Sequence, residues 1–367
     1  MKRLLLKLEV KWLMVIATIK LILVRISPKQ SIGYALMTGL LFGSFLIPGN
    51  ALAGPQLIGA GATFPYPIYS KWFYEYEKET GVKINYQPIG SGGGIQQIIA
   101  KTVDFGASDA PLDAKTLKEH GLIQMPTVAG AVAMAYNLPG VGKGLKFTPG
   151  LIADIYLGKI TQWDDPAIKA VNPGIQLPSM PVIVVHRSDG SGTTNIFTTY
   201  LSTVSPEWSK KVGHSTSVNW PTGIGGKGNP GVAGLITKTR GSIGYVELAY
   251  VLQNNMAYGP VKGKEGDFVW PTIETTKAAA SMVKTIPHDF NVMFVNSSGK
   301  NSYPIAGFTF LIIYKHQTDP AKAHELLKFI NWAYSKGETM AASLDYVPLP
   351  QNIISKVKAR LKEVKIK

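Results

Sequence analysis

The chain has 367 residues, of which 45% are hydrophobic and 17% are charged, with a formal net charge of +15 at pH 7 and no cysteine. This length and composition predict two ordinary globular domains and argue against a disordered protein. Without cysteine there can be no disulfide, thiolate metal site, cysteine nucleophile or lipid-modified cysteine. Most of the positive charge lies in residues 1–53 and in the tail from Lys356 onward, which weakens a nucleic-acid-binding interpretation.

Residues 1–53 are predicted to be an export leader. The apolar stretch 34–48 is followed by Ala51 and Ala53, which supply the small residues of a cleavage site. A second apolar stretch, 4–24, is interrupted by charged residues, so an extended leader or a start codon assigned too early is favoured there over a membrane span. We expect the signal peptide to be removed near Ala53 and the mature chain to lie in the periplasm.

The mature chain is predicted to alternate strands, loops and helices, as α/β sheets do. Apolar periodicity and turn residues predict helices over about 65–79, 95–99, 151–157, 196–201 and 323–334. The same reading predicts strands over 82–87, 103–107, 182–186 and 242–247. The basic tail has apolar residues at helical spacing, which favours a packed helix with a solvated face and leaves open a membrane or partner contact.

Two apolar stretches are long enough to pass from one domain to another. They are 131–137 and 304–314, far apart in the sequence. Two such crossings predict a discontinuous first lobe, residues 54–131 plus 304–367, and a second lobe, residues 132–303. Each lobe is expected to be a mixed central sheet flanked by helices.

Three short segments have the composition of a site for a small oxyanion. They are Gly-Ala-Gly-Ala-Thr-Phe at 59–64, Gly-Ser-Gly-Gly-Gly at 90–94 and Arg-Ser-Asp-Gly-Ser-Gly-Thr-Thr at 187–194, each expected just ahead of a helix. Glycines let backbone N–H groups converge, and a helix start adds partial positive charge. The hydroxyl donors in these segments belong to Thr63, Ser91, Ser191 and Thr193.

The third segment is the most specific of the three. Arg187 offers a planar fork for two oxygens, and Gly192 adds a backbone donor next to the hydroxyls. Asp189, two residues after Arg187, is expected to orient the guanidinium. His186 adjoins Arg187, but the alternation of side chains along a strand points it to the other face.

Asp109 is the unusual member of the set, because a carboxylate repels an anion that carries no proton. Phosphate carries a proton at neutral pH and sulfate does not, so an acceptor here favours phosphate. The alternative interpretation is that Asp109 caps a turn before Pro111.

The sequence lacks most of the patterns that are typical of enzyme active sites. The glycine segments lack the pattern of a nucleotide P-loop, and the six histidines show no metal-ligand spacing. Residues 106–110 resemble a nucleophile elbow without its closing glycine. A secreted phosphoester hydrolase using Ser108 or Ser191 stays open as an alternative, as does a binding protein for sulfate or arsenate. We expect no enzyme activity, no cofactor and no metal.

At these residues the chain resembles the periplasmic phosphate-binding proteins of bacterial high-affinity phosphate ABC transporters. The resemblance spans the mature chain and rests on 59–65, 103–112 and 189–193, with further matches at 154–160, 225–229 and 243–247. One departure is His186, where an arginine is common, and the leader is longer than usual.

The resemblance implies a type II periplasmic binding protein, whose two α/β lobes close on one phosphate in the cleft between them. It implies a monomer that serves inner-membrane permease subunits with a cytoplasmic ATPase. It also implies a binding set in which Phe64 contributes its backbone N–H and Asp189 pairs with Arg187. The implied phosphate ligands are Thr63, Phe64, Ser91, Asp109, Arg187, Ser191, Gly192 and Thr193.

Overall fold

The structure is a computed structural model that describes residues 55–367. The predicted leader lies outside the described residues. The strands are β1 (Leu57–Gly61), β2 (Ile84–Gln87), β3 (Phe105–Ser108), β4 (Leu122–Asn137), β5 (Ile183–Arg187), β6 (Ile224–Gly226), β7 (Ser242–Glu247), β8 (Ala257–Gly259), β9 (Val261–Lys262), β10 (Phe268–Val269), β11 (Ala306–Tyr314), β12 (His316–Gln317), β13 (Val347–Pro348) and β14 (Lys365–Ile366).

Helices alternate with these strands along the chain. They are α1 (Tyr66–Thr80), α2 (Ser91–Ile99), α3 (Ala114–Glu119), α4 (Pro149–Tyr156), α5 (Pro166–Val171), α6 (Gly192–Val204), α7 (Pro206–Lys211), α8 (Gly228–Lys238), α9 (Leu248–Gln253), α10 (Ile273–Ser281), α11 (Pro320–Trp332), α12 (Glu338–Ala341) and α13 (Gln351–Leu361). A π-helical turn, Ala333–Gly337, follows α11, and a 3₁₀ turn, Ala342–Leu344, follows α12.

One mixed sheet organises the described residues, in the order β2-β1-β3-β11-β4-β7-β5-β6. Strands β1, β2 and β3 are parallel to one another, and so are β5, β6 and β7, whereas β11 runs antiparallel to β3 and β4. The carboxyl ends of parallel strands are where α/β sheets bind ligands. Each of the three glycine segments includes or follows the carboxyl end of β1, β2 or β5.

Strand β4 joins the two groups of parallel strands. Its residues 122–131 pair with β11, and its residues 132–137 pair with β7. The two predicted crossing stretches, 131–137 and 304–314, therefore lie in β4 and β11, which meet in the middle of the sheet. The exact lobe boundaries stay a prediction.

The observed elements agree with the predicted α/β alternation, but two helices begin earlier in the chain than predicted. Helix α2 begins at Ser91 and α6 at Gly192, so glycines expected just ahead of a helix lie in first helical turns. In the tail, α13 buries Ile353, Ile354 and Val357, in agreement with a packed helix. Among residues 55–367, no helix combines the length and the apolar character needed to cross a membrane.

Candidate functional site

The polar residues singled out from the sequence meet in one buried cluster. Thr63 lies between β1 and α1, Ser91 is the first residue of α2, and Asp109 directly follows β3. Arg187 ends β5, and Ser191 is the N-cap of α6, whose first residues are Gly192 and Thr193. The side chains of Ser91, Ser191 and Thr193 are fully buried, and those of Thr63, Asp109 and Arg187 are at most 4% exposed.

The segments touch one another directly, although they are far apart in the sequence. The Gly192 N–H donates to Ser91 Oγ at 3.0 Å, and the Gly92 N–H donates to the Gly190 carbonyl at 2.9 Å. A Cβ on Gly192 would lie 2.5 Å from Asp109 Cβ and 2.6 Å from Asp109 N. Only glycine therefore permits this approach between the start of α6 and the end of β3.

Arg187 is held in the orientation that the sequence predicts. Its Nε donates to Asp189 Oδ1 at 2.8 Å and its Nη2 to Asp189 Oδ2 at 2.5 Å, which is a bidentate pair. Burial works to raise the pKa of Asp189, but the hydrogen bonds and the charge of Arg187 outweigh it and lower that pKa. Asp189 is therefore an anion that fixes the fork, and Arg187 Nη1 is left to reach Thr193 Oγ1 at 3.3 Å.

Asp109 has a different environment. Burial raises its pKa to about 7, against the hydrogen bond from Thr309 and the charge of Arg187, which lower it. Thr309 Oγ1 donates to Asp109 Oδ1 at 2.8 Å, and Ser91 Oγ lies 3.5 Å from Oδ2. The turn before Pro111 is instead capped by Ser108, whose hydroxyl bonds the backbone of Ala110, so the capping interpretation of Asp109 is wrong.

Two residues of this cluster were missed by the sequence reasoning. Asn229, the second residue of α8, donates from its side chain to both Thr63 and Thr193. Thr309 lies where the pairing of β11 with β4 shifts register. Pro126 stands at this point of β4 and lacks a backbone N–H, which is the one local signal of an irregularity there.

The remaining candidates lie at the edge of the cluster or outside it. His186 stacks on Trp220 with ring centroids 4.9 Å apart, and burial lowers its pKa. The Phe64 carbonyl accepts from Tyr346 Oη at 2.6 Å, which fixes the backbone after Thr63. The hydroxyl of Ser108 is engaged with Ala110, as described above, and does not meet a histidine base. No group of three or more acidic or histidine side chains suited to a metal was found among residues 55–367.

Comparisons with known proteins identify the family of this chain. The family model described as "PBP superfamily domain" matches residues 48–336. Relatives named "Phosphate-binding protein PstS" include one from Pasteurella multocida, 48% identical over 334 residues that cover 90% of this chain and 96% of the relative. Another, from Haemophilus influenzae, is 49% identical over 311 residues that cover 84% of this chain and 92% of the relative.

The chain belongs to the PBP superfamily and, within it, to the family of phosphate-binding proteins that these relatives represent. A solved structure has the same fold, with a TM-score of 0.68 at 21% identity over 83% of this chain and 93% of that one. It is described as a high affinity periplasmic phosphate-binding protein (PfluDING) bound with phosphate. The predicted family and fold class are thus confirmed.

Proposed function

We propose that this protein binds inorganic phosphate outside the cytoplasm and delivers it to an ABC transporter of the inner membrane. The observation that carries the proposal is one buried cluster that contains both a fixed guanidinium, Arg187, and a carboxyl group, Asp109, whose pKa is raised to about 7. The first attracts an anion, and the second accepts a hydrogen bond from an anion that keeps a proton. Relatives named for phosphate binding support this assignment.

The proposed ligands to phosphate come from both sides of the cluster. From the predicted first lobe come Thr63, the Phe64 backbone N–H, Ser91 and Asp109; from the second come Arg187, Ser191, Gly192 and Thr193, with Asp189 as the support of Arg187. Hydrogen bonds between Ser91 and Gly192 and between Thr63 and Asn229 cross from one predicted lobe to the other. We infer that phosphate stabilises this closed arrangement by contacts that an open one lacks.

The partner and the location follow from the same proposal. We infer that the protein acts as a monomer, that its leader is removed near Ala53, and that the closed form is recognised by permease subunits with a cytoplasmic ATPase. The site supplies binding groups only, and no reaction step is assigned to it.

Titration calorimetry of the purified protein with phosphate, arsenate and sulfate tests the function. We expect saturable binding of phosphate and arsenate, which both keep a proton near pH 7, and no measurable binding of sulfate. Equal or tighter binding of sulfate would contradict the proposal. Turnover of a chromogenic phosphoester by the same preparation would favour a hydrolase instead.

A further inference from the structure

Asn229 connects Thr63, Thr193 and Glu247, and its side-chain amide and backbone N–H are all engaged in hydrogen bonds. It is fully buried at the start of α8. Its backbone N–H donates to Thr63 Oγ1 at 3.0 Å, and Nδ2 lies 3.1 Å from both Thr63 Oγ1 and Thr193 Oγ1. The Glu247 N–H donates to Asn229 Oδ1 at 2.9 Å. A backbone N–H can only donate, so this bond fixes which end of the amide is oxygen and turns the NH₂ group toward the threonines.

The two threonine hydroxyls have no acceptor capacity left. A hydroxyl oxygen has two lone pairs and one hydrogen. At Thr63 both lone pairs face N–H groups of Asn229, and at Thr193 they face Nδ2 of Asn229 and Nη1 of Arg187. Each hydroxyl hydrogen must therefore point away from these donors, toward an acceptor.

Ser91 is restricted in the same way by the backbone. Its Oγ accepts from the Asp109 N–H at 3.2 Å and from the Gly192 N–H at 3.0 Å. The hydroxyls of Thr63, Thr193 and Ser91 are thus all held as donors. Among the proposed ligand side chains, two can still accept a hydrogen bond: Asp109, and Ser191, whose Oγ accepts only from the Thr194 N–H. The carboxylate of Asp109 is the stronger acceptor, so a proton on the ligand is directed to it.

We propose that Asn229 is a positioning residue that holds the hydroxyls of Thr63 and Thr193 as hydrogen-bond donors to the bound anion. The inference rests on the proposed function and extends it to the direction of each hydrogen bond in the site. Asn229 acts through the two threonines and does not itself touch the ligand. A bare ligand oxygen then meets donors on this side of the site.

Two variants of Asn229 test the proposal. Asn229→Ala removes the Nδ2 donor from both hydroxyls and leaves one N–H donor to each, the backbone of residue 229 at Thr63 and Arg187 at Thr193. Each hydroxyl then has a free lone pair and can rotate, and we expect about tenfold weaker phosphate binding, equivalent to the free energy of about one hydrogen bond. Asn229→Asp has the same shape but accepts from both hydroxyls and adds negative charge. We expect it to bind phosphate at least tenfold more weakly than Asn229→Ala.

A matched control sits at the other end of the same helix. Asn137 Nδ2 donates to the carbonyls of Ile236 and Thr237 at the end of α8. Asn137→Ala should lower the unfolding temperature while keeping the phosphate dissociation constant within twofold of wild type. A second readout compares the Thr63→Val and Asn229→Ala variants with the double variant. The loss of phosphate-binding free energy in the double variant should be smaller than the sum of the two single losses, because Asn229 acts partly through Thr63.

The outcomes separate this inference from the function on which it rests. If wild type binds phosphate but both Asn229 variants bind it within twofold of wild type, the inference is overturned and the function stands. Equal affinity of the Asn229→Ala and Asn229→Asp proteins, or strictly additive losses with Thr63→Val, also overturns it. A wild type that binds no phosphate overturns the function and the inference together.

Discussion

Asp109 and Asp189 lie in one site, yet their pKa values move in opposite directions. Asp189 receives two hydrogen bonds from Arg187, which lower its pKa despite burial. Asp109 is more deeply buried and has a weaker set of partners, so burial raises its pKa to about 7. The first carboxylate therefore anchors a cation, and the second can exchange a hydrogen bond with a ligand that retains a proton.

Replacing Asp109 by asparagine should weaken the preference for phosphate over sulfate. An amide can turn its NH₂ group toward a bare oxygen, so the repulsion that excludes sulfate disappears while the shape is kept. We expect the ratio of phosphate to sulfate affinity to fall at least tenfold, or about 1.4 kcal/mol. Calorimetry with both anions measures this ratio.

A second aspartate close in the sequence serves as the control for this substitution. Asp104 precedes β3, whereas Asp109 follows it, and Asp104 accepts from the Ile58 N–H and from Lys322. Asp104→Asn should leave the ratio unchanged. An Asp109→Asn protein with undiminished preference for phosphate would refute our account of selectivity.

At the level of single residues, the sequence predicted the groups whose signal is local. Arg187, Asp189 and the hydroxyls lie in short segments of recognisable composition. Asn229 lies in the matched segment 225–229 but had no assigned role, and Thr309 lies in no such segment. Their contacts with Thr63 and Asp109 span 166 and 200 residues. Such pairings depend on the order of strands in the sheet, which periodicity alone does not define.

The elements of the site bring backbone segments unusually close together. A Cβ on Gly92 would lie 3.0 Å from the Cα of Gly190, and one on Gly192 would overlap Asp109. Because glycine has no Cβ, the glycines at the starts of α2 and α6 let these backbone segments pack closely against their neighbours. The sequence predicted strand, loop and helix in order here, but it placed the start of α2 too late because glycines are typical of loops.

Substituting Gly192 by alanine should impair binding through this contact. The new Cβ would collide with the Cβ and backbone N of Asp109, which cannot move aside as a flexible side chain would. Overpacking of this kind costs about 1–3 kcal/mol, so we expect roughly 5- to 150-fold weaker phosphate binding. Calorimetry measures the loss.

A glycine elsewhere in a helix supplies the comparison. A Cβ on Gly234, within α8, would meet no heavy atom within 4 Å. Gly234→Ala should bind phosphate as wild type does and should raise the unfolding temperature slightly, since alanine favours the helix. Wild-type affinity in the Gly192→Ala protein would show that the close approach is not needed.

For the whole molecule, buried carboxyl groups outside the proposed ligand set affect how stability depends on pH. Glu338 in α12 is 8% exposed, and its Oε2 accepts from the Leu349 N–H at 2.9 Å, while Oε1 has no hydrogen-bond partner. Burial raises the pKa of Glu338 to about 8. Burial also raises the pKa of Glu247, whose Oε2 accepts from Tyr346 at 3.0 Å. The fold therefore favours the protonated form of both groups.

This predicts that stability falls as the pH rises. In the unfolded chain a glutamate ionises near pH 4.3, whereas Glu338 keeps its proton in the folded chain to about pH 8. The stabilisation is thus fully present below about pH 4.3 and is lost as the pH rises to about 8. Glu338→Gln removes this contribution, and the drop in unfolding free energy between pH 5 and pH 8 should shrink by about 1–3 kcal/mol.

Urea denaturation of ligand-free protein at several pH values measures this drop. Glu77 is exposed on α1, so Glu77→Gln should retain the wild-type dependence. A wild-type slope in the Glu338→Gln protein would count against a protonated Glu338. Asp109 and Glu247 are unchanged in both variants, so part of the slope should persist in each.

The central position of β11 has a consequence for how the chain is made. Strands β3 and β4 are completed by residue 137, yet the strand that lies between them begins at Ala306. Until that late segment emerges, both earlier strands have unpaired edges, and nearly the whole polypeptide has to be synthesised before the sheet can close. Such a late closure suits the proposed export of the chain, because a translocation machinery threads extended polypeptide.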